Sequence, residues 1–202
     1  MENEIQPGLD GDFQLELDKL EACGNLRVLP ETCSDGKWIE AGGRRMLNLS
    51  SNDYLGLASD KALREEFLQT VKERDLCFSS SSSRLLTGNF PAYRELESLL
   101  ASLFGAESAL VFSSGYHMNT GILPAVTDAN TLILADKLVH ASLIDGIRLS
   151  AAKCIRYRHQ DYAQLENLLA KHHGEYHRII VVTESVFSMD GDVASLDRLV
   201  EL

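Results

Sequence analysis

Two nearly continuous apolar runs restrict the fold of this chain more than any other feature. One spans Thr131 to Ala135; the other, Arg178 to Thr183, holds Ile179, Ile180, Val181 and Val182 in succession. A half-buried strand alternates apolar and polar residues, and a run this short makes a poor helix. Unbroken runs bounded by polar residues therefore suit strands covered on both faces. Lys153 to Tyr157 reads as a third short strand, and Tyr162 to His172 as a helix with Leu165, Leu168 and Leu169 on one side. The alternation predicts an α/β fold with a parallel or mixed sheet between helices. In such sheets the ligand lies beyond the carboxyl ends of the strands.

Polar residues gather after three predicted strands. Ser108 to Gly121 reads as a strand at Leu110 to Phe112, a turn at Ser113-Ser114-Gly115 and a helix from Tyr116. Such a turn aims backbone N–H groups and hydroxyls at one spot beside the positive end of a helix dipole, where a phosphate fits. Asp136 to His140 follows the second strand, and Glu184 to Asp192 follows the last.

Upstream, Phe13, Leu17 and Leu20 fall at helical spacing and Gly24 is a candidate C-cap, while residues 1 to 11 read as frayed. Asp35-Gly36-Lys37 and Gly42-Gly43 predict turns between short strands, the last at Met46 to Leu49. A polar loop runs from Ser50 to Gly56, and a helix is expected from Lys61 to about Arg74. The five serines Ser79 to Ser83 have the composition of a linker, but an apolar pair and a turn follow at once. From Tyr93 a helix carries Leu96, Leu99, Leu100 and Leu103 at core spacing.

The formal charge of −11 argues against nucleic acid or an anionic membrane as partner. No apolar run reaches the length of a membrane span, and the acidic start lacks a signal peptide's features. Four scattered cysteines suggest neither zinc nor a redox pair, and a cytoplasmic location is expected. Asp190-Gly191-Asp192 lacks the further ligands of a calcium loop and reads as a turn. Ser114 lacks the context of a hydrolase nucleophile. His159 and Asp161 read as caps of the following helix.

Five motifs stand together in one order: Asn52 to Gly56, Ser83 to Asn89, Phe112 to Tyr116, His140-Ala141-Ser142 and Phe187 to Asp192. In this the chain resembles the α-oxoamine synthases, pyridoxal-phosphate enzymes of the aspartate-aminotransferase fold, from about Phe13 onward. The resemblance implies a three-layer α/β/α large domain with a mostly parallel sheet. Residues 1–45 would form an N-terminal helix and turn-rich segment, and 46–202 the first part of the cofactor-binding domain. It implies that Gly115 and Tyr116 bind the cofactor phosphate, His140 stacks on its ring and acts in catalysis, and Ser188 meets its phenolic oxygen. Glu184 would lie beside the cofactor, and Arg27 and Asn52, with His140, would contact substrate.

The implied reaction joins an amino acid to an acyl-CoA or acyl-carrier thioester with loss of carbon dioxide, in a homodimer with a shared active site. The members most similar use L-alanine and a pimeloyl thioester in biotin synthesis. Glycine with acetyl-CoA is the next reading, and a non-catalytic binding or dimerisation domain the third. The family's cofactor-binding lysine, its ring-nitrogen aspartate and its small domain are expected beyond Leu202, so the chain reads as an incomplete enzyme. Lys137 and Lys153 have the contexts of surface residues.

Overall fold

The computed structural model describes residues 10–71 and 77–202. The chain divides after Ser79 into two compact units. The boundary expected at 45/46 falls instead inside a strand of the first unit. Helix α1 (Asp10–Ala22) opens that unit, and Gly24 ends it at φ 67°. Strands β1 (Thr32–Asp35), β2 (Trp38–Ala41) and β3 (Arg44–Leu47) form an antiparallel meander. Gly42 and Gly43 connect β2 to β3, and both have positive φ. A two-residue type I′ turn requires that geometry, which glycine adopts without a Cβ penalty. The turn fixes where β3 starts, two residues before the expected Met46.

A 3-10 turn (Leu57–Ser59) leads to α2 (Lys61–Thr70), whose N-cap Asp60 accepts a hydrogen bond from the Leu63 amide. Val71 is already extended, so α2 stops short of the expected Arg74, which lies outside the described residues. The frayed start expected for residues 1 to 11 falls largely outside them too.

The second unit contains α3 (Pro91–Leu103), α4 (Gly115–Val126), β4 (Thr131–Asp136), α5 (Ala141–Leu149), β5 (Lys153–Tyr157), α6 (Tyr162–His172), β6 (Arg178–Val182) and α7 (Leu196–Glu201). The three strands are parallel in the order β5-β4-β6. Every residue of β4 is buried, as its unbroken apolar run requires. Its alternate side chains enter separate cores. Ile133 and Ala135 pack with Leu123 of α4 and Ile147 of α5; Leu132 and Leu134 pack with Tyr157 and with Leu165 of α6. The path from β4 to β5 runs one way across the sheet and that from β5 to β6 runs back. Right-handed crossovers therefore place α5 and α6 on opposite faces, and three layers result.

Two expectations are corrected. Leu110 to Phe112 is not a ladder strand; its backbone is tied by side chains. The Val111 amide donates to Glu97 Oε1 at 2.8 Å, and Arg84 Nη1 donates to the Val111 carbonyl at 3.1 Å. The leucine stripe of α3 is not buried core either: Leu96, Leu99 and Leu103 are exposed and Leu100 is half-buried.

Helices α4 and α5 meet closely at Gly146. A Cβ there would collide with the Asn119 carbonyl oxygen. Gly146→Ala should push the two helices apart and destabilise the unit by about 1–3 kcal/mol, as overpacking of a tight contact does. Urea unfolding of the variant beside the parent chain checks this.

Candidate active site

The first turn of α4 lies at the surface. Ser114 is the N-cap, accepting from the His117 amide at 3.2 Å, and Ser113 Oγ pairs with His117 Nδ1 at 2.8 Å. Gly115 and Tyr116 carry the first two amides of the helix, which have no intrahelical acceptor. Both residues are exposed, and a Cβ on Gly115 would meet nothing within 4 Å. Exposed N-terminal amides flanked by two serine hydroxyls form a donor set suited to a phosphate dianion. The Tyr116 hydroxyl donates to Asp145 Oδ2 on α5 at 3.3 Å, which fixes this turn to the neighbouring helix.

His140 is the N-cap of α5. Its backbone N–H donates to the Glu184 carboxylate, a bond from the loop after β4 to the loop after β6. Its ring Nδ1 accepts from the Ser142 amide at 3.2 Å and lies 2.7 Å from the Ser142 hydroxyl. The expected pair His140 and Glu184 thus come together, with Glu184 holding the histidine's backbone.

Ser188 is exposed in the loop after β6. That loop is closed by backbone bonds from Phe187 N to Asp192 O and from Gly191 N to Phe187 O, each 2.8 Å. The turn itself is made by residues 188–190, two residues earlier than expected, and Gly191 follows it at φ 75°. Phe187 beneath it is buried in the core shared with β4.

The loop is also clamped by a residue whose role the sequence did not reveal. Asp136, 1 % exposed at the carboxyl end of β4, accepts from the Leu138 amide at 2.8 Å and the Gln160 amide at 2.9 Å. Its third partner is His159 Nδ1 at 2.9 Å, while His159 Nε2 lies 3.2 Å from Asp192 Oδ2. The His159 ring stands edge-on to Phe187, with centroids 4.5 Å apart. His159 therefore bridges two carboxylates instead of capping α6; Asp161 alone caps that helix, accepting from the Gln164 amide at 2.8 Å. Partners 23 and 33 residues away left no local mark in the sequence. The hydrogen bond to Asp136 is the main reason the His159 pKa stands above its ordinary value, with Asp192 adding to it against partial desolvation.

Arg27 and Asn52 lie in the unit that ends at Ser79. Arg27 is exposed between α1 and β1, and Asn52 is exposed in the polar loop before the 3-10 turn, beside Asp53, which caps that turn through Leu57 and Ala58.

Losing the His159 ring would leave the buried Asp136 one hydrogen bond short. His159→Ala should cost about 1–3 kcal/mol in urea unfolding. Because the folded pKa is raised, the clamp's contribution is complete below the unfolded value of about 6.5. It fades as pH rises through the folded value, so the gap between parent and variant should narrow with rising pH.

Comparison with known proteins identifies the family and the fold. The model of the class I and II aminotransferases matches residues 44–202. The 8-amino-7-oxononanoate synthase of Haemophilus ducreyi is 61% identical over 193 residues, covering 94% of this chain and 50% of that protein. A putative 8-amino-7-oxononanoate synthase of Haemophilus influenzae is 58% identical over 190 residues, with the same coverage. The chain thus spans about half the length of the curated relatives it matches. Among solved structures, S. paucimobilis serine palmitoyltransferase with bound pyridoxal phosphate and myriocin superposes with TM-score 0.80 at 26% identity, over 97% of this chain and 50% of that one. The 8-amino-7-oxononanoate synthase of Francisella tularensis gives 0.60 at 31% identity, over 75% and 41%. The aminotransferase-like large-domain fold is therefore present, and the chain belongs to the class I and II aminotransferase family.

Proposed function

We propose that this chain carries the phosphate- and ring-binding half of an 8-amino-7-oxononanoate synthase, which condenses L-alanine with a pimeloyl thioester and releases carbon dioxide. The observation that carries the reading is the 58–61% identity to such enzymes over 94% of the chain. The cofactor is pyridoxal 5′-phosphate, and the donor set at the α4 N-terminus fits its phosphate. Gly115 and Tyr116 amides take the phosphate, the His140 ring stacks on the pyridine, and the Ser188 hydroxyl meets the phenolic oxygen. When bound, the cofactor supplies an electron sink for the carbanion formed at the amino acid's α-carbon.

The chain's own residues orient and exclude. Glu184 holds the His140 backbone and Ser142 holds its ring, so the ring is placed before ligand arrives. The Asp136–His159–Asp192 clamp holds the Ser188 loop over the strand ends. Arg27 and Asn52 serve the substrate, and the active form is a cytoplasmic homodimer whose subunits share the site. The amino-acid carboxylate and the thioester would be oriented by these side chains, which converts a bimolecular encounter into a positioned one.

Absorbance titration of the chain with pyridoxal phosphate tests the half-site. Binding should depend on the phosphate: pyridoxal alone should bind far more weakly and inorganic phosphate should compete. His140→Ala should raise Kd about tenfold through loss of one ring contact. Equal binding of pyridoxal and pyridoxal phosphate would overturn the assignment of the α4 N-terminus.

A further inference from the structure

Behind His140 lies a polar chain that crosses from α4 to α5. Asn119 Nδ2 donates to Ser142 Oγ at 2.8 Å, and Ser142 Oγ lies 2.7 Å from His140 Nδ1. Ser142 is 1 % exposed, although it sits in the first turn of α5. The same Nδ1 receives the Ser142 backbone N–H at 3.2 Å. An amide N–H donates to a lone pair, so this contact biases the neutral ring toward an unprotonated Nδ1 without fixing it alone. With Asn119 donating into Ser142 Oγ, the serine proton is directed at Nδ1 as well. The reverse arrangement, with the Asn119 amide turned and Nδ1–H donating to Ser142 Oγ, would set two protons face to face between Nδ1 and the Ser142 amide.

Gly146 makes this chain possible. It lies one helical turn after Ser142 on the same face of α5, where it abuts the Asn119 backbone. With no side chain there, α4 comes close enough for the short Asn119 side chain to reach Ser142.

We infer that Asn119 and Ser142 are positioning residues that hold His140 as its Nε2–H tautomer. The ring then offers a hydrogen-bond donor, and no basic lone pair, toward a bound ligand oxygen. A carboxylate or carbonyl oxygen is the chemistry it accepts. A lone pair already occupied by two donors is not free to meet a ligand's proton. Proton removal at the α-carbon must then fall to another group. The inference rests on the proposed function only for what His140 faces; the tautomer belongs to the chain without ligand.

Long-range proton–nitrogen spectra of the ligand-free chain, labelled with 15N-histidine and recorded above the histidine titration range, read the tautomer directly. The chain has six histidines, and the His140 signals are those missing from His140→Gln. The expected result is a pyridine-like Nδ1 and a pyrrole-like Nε2. In Asn119→Ala both ring nitrogens should shift toward the average of the two tautomers. If that variant does not fold, the near-isosteric Asn119→Asp, which accepts the serine proton instead of directing it, should give the same shift. A pyrrole-like Nδ1 in the parent chain would overturn the tautomer. Ring shifts unchanged in a folded Asn119 variant would overturn the positioning role. Either result is independent of whether pyridoxal phosphate binds, so it stands apart from the titration that tests the proposed function.

Discussion

A carboxylate at the end of a fully buried strand governs the second unit. Asp136 closes β4, the strand flanked by both others, and its side chain is removed from water. A buried acceptor of this kind is tolerated only when its lone pairs are filled. The partners that fill them are the Leu138 amide, the Gln160 amide and the His159 ring, which come from the loops after β4 and after β5. Through His159 the connection continues to Asp192 in the loop after β6. The requirement to satisfy one carboxylate thus draws together the loops after all three strands, where a ligand of such a sheet belongs.

The central layer was legible because its signal is local and redundant. Burial on both faces forces an unbroken apolar run, and Thr131 to Ala135 and Ile179 to Val182 each show one. The helices of the second unit were legible through spacing and caps; Tyr162–His172 follows its pattern to the residue. His140 and Glu184, each at the end of such a run, were legible as polar groups near a common site. What joins them was not, because hydrogen bonds between residues 44 positions apart leave no pattern in either neighbourhood. His159 failed for the same reason: its sequence context resembles a helix cap, and only the return of β6 beside β4 brings Asp192 to its other nitrogen.

The segment around Val111 shows a different limit. Its composition is that of a strand. Sheet pairing needs a neighbour with the right register, and among the described residues Val111 has side chains as neighbours instead. Arg84 forks across Glu97, with Nη1 to Oε1 at 2.7 Å and Nη2 to Oε2 at 3.0 Å, and stacks over Tyr93. This pair meets the Val111 N–H and C=O where a ladder would. Arg84 is also the main reason Glu97 sits below its ordinary pKa, followed by the Val111 amide. A strand-like sequence therefore states a conformation; its partners are a tertiary matter.

The same distinction explains the order found at the site. The groups proposed to meet a ligand, the α4 amides, the His140 ring and the Ser188 hydroxyl, all stand on short connections, which are the parts least determined by local propensity. Each is fixed from behind by a bond whose other end is remote: Tyr116 to Asp145, His140 to Glu184, the Ser188 loop through Asp192 to His159. Bonds of this kind remove conformations that a free loop would have to lose on binding, and ordering a loop residue costs about 1–2 kcal/mol. A site built this way is set before the ligand arrives, so more of the contact energy appears as affinity. The helix crossing at Gly146 extends the principle from position to protonation. By bringing Asn119 to Ser142 it fixes where the His140 ring lies and also which of its nitrogens holds the proton.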